Sequence, residues 1–411
     1  MHNGLSLFSG GGGLDAGVKD AGLSVNLAIE IDHDSCETLK LNFPDLAVKE
    51  MSVADAKAED ILPYYENNGV DFIIGGPPCQ SFSVFGNRLG IEDARGQLVF
   101  EYLRLVDELQ PKVFLLENVR GMLSMSLVPK GKDHQGNPEF CESGSLLKEM
   151  VRQYNAIGYH VDLFVVNSVN YGAAQIRERV LLIGNRMQRR AKFPEPKFSN
   201  RPADNLPPFT TLGDIIGPSS NFVDPDPSVM NFSPRKLKYL SMVPEGGNWR
   251  SLPVEVQKES MGKSWYLKGG RSAYWRKLSF DFPSPTVVTM PNHAGTSMCH
   301  PTELRAISVG EASRIQGFPT NWKFAGKTNS KFKQVGNAVP VILGQVAGEV
   351  LKSFLDSDSK WYDDSNILGY TETHLRPHVR TRSFWKNGKA LAGSHSYYDD
   401  EPNSQLDLFN R

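Results

Sequence analysis

The sequence predicts an α/β protein: a mostly parallel sheet covered by helices on both faces, joined to a smaller, loop-rich unit. Three observations lead there. Up to about residue 190, short apolar runs at 72–74, 113–116, 160–166 and 180–183 alternate with helical patterns. Such alternation argues for parallel strands connected by helices. The first apolar run passes straight into a glycine turn and then a helical pattern. After Arg190 the texture changes: eight prolines between Pro194 and Pro227 punctuate a stretch with no clear helical period. Helical texture returns at 309–315 and 341–354, and from Asp356 onward the chain is polar.

Taken in order, the first element is Leu5-Ser6-Leu7-Phe8-Ser9-Gly10-Gly11-Gly12-Gly13, followed by a second strand, Leu27-Ala28-Ile29-Glu30-Ile31-Asp32, that ends in carboxylates. Glycines let a cofactor lie against the backbone, and an acidic residue at the end of the next strand holds ribose hydroxyls. Nicotinamide, flavin and S-adenosylmethionine binders share this pattern, and a bare strand-to-helix turn also fits it. The spacing differs from the usual dinucleotide fingerprint, and no phosphate-binding Lys-Ser/Thr follows.

The second element is Pro77-Pro78-Cys79-Gln80-Ser81, reached directly from the apolar strand that ends in Gly75-Gly76. It puts one thiol on a stiff turn at the carboxyl end of a buried strand, where an α/β sheet opens its crevice. A nucleophile and a small buried hydrophobe both fit there. The third, Glu117, ends the run 113–116 at the same kind of edge, where a surface carboxylate is the ordinary alternative. Arg177 and Arg179 lie two apart before 180–183, so in an extended segment they share a face. They would favour a thiolate nearby, or simply form surface ion pairs.

Composition agrees without deciding. The 411 residues suffice for two cores, 40% are hydrophobic and 22% charged, and the net charge is −1. No apolar run has membrane-spanning length, and a first strand starting at Gly4 leaves no room for a signal peptide. Cys36, Cys79, Cys141 and Cys299 are scattered without metal-ligand pairing, the usage expected of a reducing, intracellular setting with no disulfides or structural zinc. Between Ser233 and Lys277, ten basic residues face three acidic ones, with Trp249, Trp265, Tyr266, Tyr274 and Trp275 interleaved. That mixture fits a nucleic-acid surface, and a solvated face is its plain alternative.

In chain order, Phe8-Ser9-Gly10-Gly11-Gly12-Gly13, Glu30, Pro78-Cys79-Gln80, Glu117-Asn118-Val119, Gln175-Ile176-Arg177-Glu178-Arg179, Arg314-Ile315-Gln316-Gly317-Phe318-Pro319 and Gly336-Asn337-Ala338-Val339-Pro340 stand in this sequence. The ordered set resembles the DNA (cytosine-5) methyltransferase family from about residue 4 to 352. The resemblance implies a Rossmann-like S-adenosylmethionine-dependent methyltransferase domain with a smaller, loop-rich target recognition domain. Residues 1–193 would form the first part of the catalytic domain, 194–303 the recognition domain, 304–355 the return, and 356–411 a polar tail or small appendage.

The same resemblance implies the chemistry. Cys79 would add to cytosine carbon 6, Glu117 would donate to ring nitrogen 3, and Arg179 and Arg177 would serve the cytosine and its thiol adduct. Phe8, Gly10, Gly12, Gly13, Glu30, Pro78, Asn337 and Val339 would hold S-adenosylmethionine, leaving S-adenosylhomocysteine, with no metal. Ser52 stands where the family carries the Asp that contacts the adenine amine, with Asp55 close by. Gln80, Ser81, Arg235, Lys263, Lys268, Arg271, Arg276 and Thr286 would contact double-stranded DNA. A monomeric bacterial restriction–modification methylase, cytoplasmic and nucleoid-associated, with a cognate endonuclease acting on the same site, completes the expectation.

An RNA cytosine methyltransferase shares the catalytic motifs. Its relatives carry Cys-Phe-Thr in the recognition region, where Cys299 is here followed by His300-Pro301. A nicotinamide oxidoreductase would share only the glycine turn.

Overall fold

The computed structural model describes residues 2–65, 69–78, 98–126, 142–266, 271–363 and 365–375. Cys79, Gln80, Ser81 and Lys268 lie outside them. In chain order the elements are β1 (Gly4–Leu7), α1 (Gly13–Asp20), β2 (Val25–Glu30), α2 (His33–Asn42), β3 (Ala47–Glu50), α3 (Ala58–Ile61), β4 (Phe72–Gly75), α4 (Leu98–Leu109) and β5 (Val113–Asn118). Then follow α5 (Ser145–Ala156), β6 (His160–Asn167), β7 (Gln175–Ile176), β8 (Glu178–Asn185), α6 (Leu212–Ile216), α7 (Pro234–Leu240) and α8 (Val254–Met261). β9 (Ser284–Pro285), α9 (Val309–Gln316), α10 (Thr328–Asn337), α11 (Val341–Leu355) and β10 (Tyr370–His374) complete the set.

Eight strands form one sheet in the order β10-β6-β8-β5-β4-β1-β2-β3. Every pairing is parallel except those of β8, which runs antiparallel to both β5 and β6. Strands buried on both faces read as continuous apolar runs, and β4, β5 and most of β8 are buried along their length. One face packs Leu5, Leu7, Ile73, Phe114 and Leu116 beneath α4 and α5. The other packs Phe72, Ile74, Leu115 and Ile183 against Leu14 and Val18 of α1 and Leu343, Val346 and Val350 of α11. Helix α11 thus packs on the same sheet as α1, as the family resemblance implied.

Local chemistry sets the helix ends. The Asp32 side chain caps α2 by accepting from the Ser35 N–H, and Ser308 with Glu311 forms a reciprocal capping box on α9. The proline-rich stretch 194–227 holds only a 3-10 turn and the short helix α6, and beyond it prolines begin two longer helices. Pro234 occupies the first turn of α7, and Pro253 immediately precedes α8. A proline at a helix start loses no hydrogen bond and presets φ. These helices enclose their own core of Phe232, Tyr239, Leu240, Trp249, Met261 and Trp275. Past Asp356 the chain adds β10 to the sheet edge, parallel to β6. Among the described residues, no single helix is long and apolar enough to cross a membrane.

Candidate active site

β1, β2, β4 and β5 are parallel neighbours, so Phe8, Glu30, Gly76 and Glu117 all emerge at the same edge of the sheet. Antiparallel β8 brings its beginning, Arg179, to that edge, because Asn118 pairs with Val180. There Arg179 Nε lies 2.5 Å from Glu117 Oε1, and both side chains are about nine-tenths buried. The guanidinium also donates through Nη1 to the Glu178 carbonyl at 2.7 Å. Asn118 is a loop holder: its side-chain amide donates to the Pro77 carbonyl at 3.4 Å, and its side-chain oxygen accepts from Val119 N–H. Asn118 thereby anchors the turn that leads into Cys79.

The glycine turn is pinned by a carboxylate. Glu30 accepts the Gly10 N–H at Oε2 and the Ile31 and Asp32 N–H groups at Oε1, each at 2.8 Å. A Cβ built on Gly13 would sit 2.4 Å from the Val339 carbonyl oxygen, whereas one on Gly10 would meet nothing within 4 Å. Gly11 and Gly12 back onto Phe324, Gln334, Leu39 and Trp322. The open side of the turn is therefore at Gly10, beside Glu30, with Val339 buried behind it and Asn337 exposed. Phe8 takes a left-handed φ of 57°, which turns the chain off β1 toward this space. This arrangement fits a methyl donor carrying a ribose. Ser52 belongs to a different local network, its hydroxyl accepting the Ala54 N–H at 3.2 Å, and Asp55 is exposed.

Arg177 does not join Arg179. It is 3% exposed, donating from Nη1 to the Val287 carbonyl at 3.0 Å and from Nη2 to the Gly336 carbonyl at 2.9 Å. Burial, with the nearby Arg179 charge, holds its pKa well below the usual guanidinium range. Two of its donors go to backbone carbonyls, while the buried Nε has no hydrogen-bond partner among the described residues, and the Glu117 carboxylate also acts on its charge.

In the recognition region, Arg235, Lys263 and Thr286 are exposed. Arg235 donates to the Ser260 carbonyl at 3.3 Å, and Thr286 Oγ1 donates to the Ile176 carbonyl at 3.0 Å. Arg271 is half-buried and donates to the Ser264 and Trp265 carbonyls. Arg276 is 5% exposed and gives Nε to the Ser297 carbonyl; burial lowers its pKa to about 10. Its guanidinium lies inside the protein, unlike the exposed Arg235 and Lys263. Trp249 and Trp275 likewise form core, and Tyr266 is the exposed aromatic of that stretch. Among the described residues, no cluster of His, Cys, Asp or Glu is arranged to hold a metal ion.

One residue of the site was missed in the sequence. Asp15, in the first turn of α1, is 2% exposed, and neither carboxyl oxygen has a hydrogen-bond partner. Burial raises its pKa from 3.8 to about 6, and Glu30 adds repulsion. The signal was available: an acid inside the otherwise apolar Leu14-Asp15-Ala16-Gly17-Val18. Between the unfolded and folded pKa values the folded state holds the extra proton, so stability falls as pH rises through that window. Asp15→Asn is expected to stabilise the cofactor-free chain by up to ~3 kcal/mol near pH 8 and by nearly nothing near pH 4. Urea unfolding of both proteins at the two pH values measures it; an equal effect at both would mean that Asp15 ionisation is not the cause.

Comparison with known proteins bears on the whole arrangement. Residues 2–353 match the family model described as C-5 cytosine-specific DNA methylase. The Type II methyltransferase M.Sau96I of Staphylococcus aureus is 36% identical over 357 residues, covering 86% of this chain and 76% of that protein. M.Eco47II of Escherichia coli, also a Type II methyltransferase, is 37% identical over 361 residues, covering 87% and 80%. A solved structure titled as a putative DNA modification methyltransferase from an E. coli prophage is similar with a TM-score of 0.57 at 25% identity, over 87% of this chain and 100% of that one. A DNMT2 structure from Spodoptera frugiperda shares the fold at a TM-score of 0.58 and 16% identity, over 86% and 100%. With its motifs converging on one edge of a Rossmann-like sheet, the chain belongs to the C-5 cytosine-specific DNA methylase family and is a DNA cytosine-5 methyltransferase.

Proposed function

We propose that this enzyme transfers methyl from S-adenosylmethionine to carbon 5 of a cytosine swung out of duplex DNA, through a covalent bond between Cys79 and ring carbon 6. The observation that carries the reading is the buried Glu117–Arg179 pair at the crevice edge, beside the Asn118-anchored turn that runs directly into Cys79. The target carbon is inaccessible within the base stack, so the base must leave it at a cost of a few kcal/mol.

The chain's residues divide the work. The Cys79 thiolate attacks carbon 6, forming the sulfur–carbon bond and pushing the ring electrons toward nitrogen 3. Glu117 supplies the proton that nitrogen 3 takes up, and Arg179 holds Glu117 in place and hydrogen-bonds the ring carbonyl. Carbon 5 becomes nucleophilic as a result. Once carbon 5 carries the methyl, nitrogen 3 returns its proton to Glu117; water takes the carbon 5 proton, its bonding electrons form the C5=C6 double bond, and the sulfur–carbon bond breaks to release the Cys79 thiolate. Glu30 binds the ribose hydroxyls of the donor, the Gly10 side of the turn and Phe8 receive its methionine end, and Pro78, Asn337 and Val339 close around it. When bound, S-adenosylmethionine supplies the electrophilic methyl group.

The segment 194–303 reads the target, with Gln80 and Ser81 beside the flipped base and Arg235, Lys263, Lys268 and Thr286 on phosphates. Arg271 faces the same duplex. The enzyme works as a cytoplasmic monomer on the nucleoid, shielding a site from a cognate restriction endonuclease.

Bisulfite sequencing of DNA from cells expressing the chain tests this. One short sequence should be protected from conversion at a single cytosine. Unprotected DNA, or protection confined to RNA, would overturn it.

A further inference from the structure

Residues 284–289 return from the recognition region and pass between the strand that carries the arginines and the turn at 335–339. Both sides hold this strap. Ser284 and Pro285 pair with Gln175 and Ile176, and Gln175 Oε1 accepts the Val287 N–H at 2.8 Å. Arg177 grips the Val287 carbonyl with one prong and the Gly336 carbonyl with the other. Gln175 continues through its amide to Gln316 Oε1 at 2.8 Å, and Gln316 Nε2 donates to the Val335 and Ala338 carbonyls at 2.6 and 3.2 Å. Gln175, Arg177, Val287 and Gln316 are all at most 3% exposed. The fit is tight as well as bonded, since a Cβ on Gly336 would lie 2.6 Å from the Thr289 nitrogen. At one end of this network is exposed Thr286; at the other are Asn337 and Val339.

We propose that the strap links DNA occupancy to donor binding, with Arg177 as the positioning residue that ties the recognition-side backbone at Val287 to the cofactor turn at Gly336. The inference rests on the reading under Proposed function for the identity of the two ligands. A duplex pressing on Thr286 moves or stiffens Val287, and the buried network passes that constraint to residues 336–339. Linkage is reciprocal, so a donor in its turn raises DNA affinity by the same factor. Arginine suits this task because its planar fork serves two carbonyls at fixed spacing, which a lysine ammonium cannot do.

The test is calorimetric titration of S-adenosylhomocysteine into the full chain, with and without a saturating duplex carrying the site mapped by bisulfite sequencing. Wild type should bind more tightly in the presence of DNA by roughly 5- to 150-fold, the ordinary range of such coupling. Arg177→Lys should keep its DNA-free affinity within about twofold while most of that gain disappears. Thr286→Val, on the exposed end of the strap, should reduce the gain as well and covers the case in which Arg177→Lys does not fold. A gain that survives in the folded variants, or is absent from wild type, overturns the linkage. A wild-type chain that binds no S-adenosylhomocysteine overturns the donor assignment instead.

Discussion

Cys79→Ser is expected to reduce methyl transfer below detection while leaving cofactor binding and thermal stability close to wild type. A hydroxyl is a far weaker nucleophile than a thiolate, and without the bond to carbon 6 carbon 5 has no electrons to offer. The residues that precede Cys79 in the chain supply the rest of the expectation. The strand before it is fully buried, and Asn118 holds the Pro77 carbonyl, so the fold up to Pro77 does not depend on the sulfur. A duplex with 5-fluorocytosine at the target position makes the distinction sharp. Fluorine at carbon 5 cannot leave as a proton does, so the adduct persists and wild type should run as a covalent complex under denaturing conditions. Cys79→Ser should form none. Turnover near wild type in the serine variant would remove Cys79 from the mechanism.

Glu117→Gln carries the second-largest effect. An amide of the same shape cannot deliver a proton to nitrogen 3, and general-acid assistance is worth roughly 10²–10⁴-fold. Single-turnover methylation should slow by about that factor, and trapping by 5-fluorocytosine should slow in proportion, because the lost proton is needed in the addition step itself. A second consequence follows from the 2.5 Å contact with Arg179. Losing the carboxylate leaves a nine-tenths-buried guanidinium with a neutral partner, so the variant should be less stable by ~1–3 kcal/mol. A variant that methylates within about tenfold of wild type would show that Glu117 anchors Arg179 without donating.

Much of this site could be read from residue order, because strand ends carry it. The apolar runs at 72–74 and 113–116 lie within β4 and β5, so Gly76 and Glu117 had to emerge at a crevice if the sheet was parallel there. What could not be read is direction and distance. Nothing local to 180–183 shows that β8 runs against its neighbours, yet only that reversal delivers Arg179 to Glu117. Arg177 looked like its twin because the two are one strand period apart. Its partners are contributed from 110 and 159 residues away, beyond any pattern within the segment. The aromatic residues of 233–277 posed the converse problem. Trp249 and Trp275 beside arginines suit a stacking surface or a small core equally by composition, and they form the core. Polarity hid β10 too, since an edge strand needs only one covered side.

That edge strand has a consequence for how the molecule behaves in a crowd. Every residue of β6 is buried, and among the described residues its outer hydrogen-bonding edge is covered by β10, which runs beside it from Val161 to Val165. Thr371 reaches over to the carboxylate of Asp162, which also takes the Ala191 N–H, so the cover is latched by a side chain as well as by the ladder. Without it, an apolar strand would offer open backbone groups to any other extended chain, the usual starting point for sheet-to-sheet aggregation. Residues 370–374 thus act as a hem on the sheet, and deleting them is expected to raise self-association, measurable by light scattering.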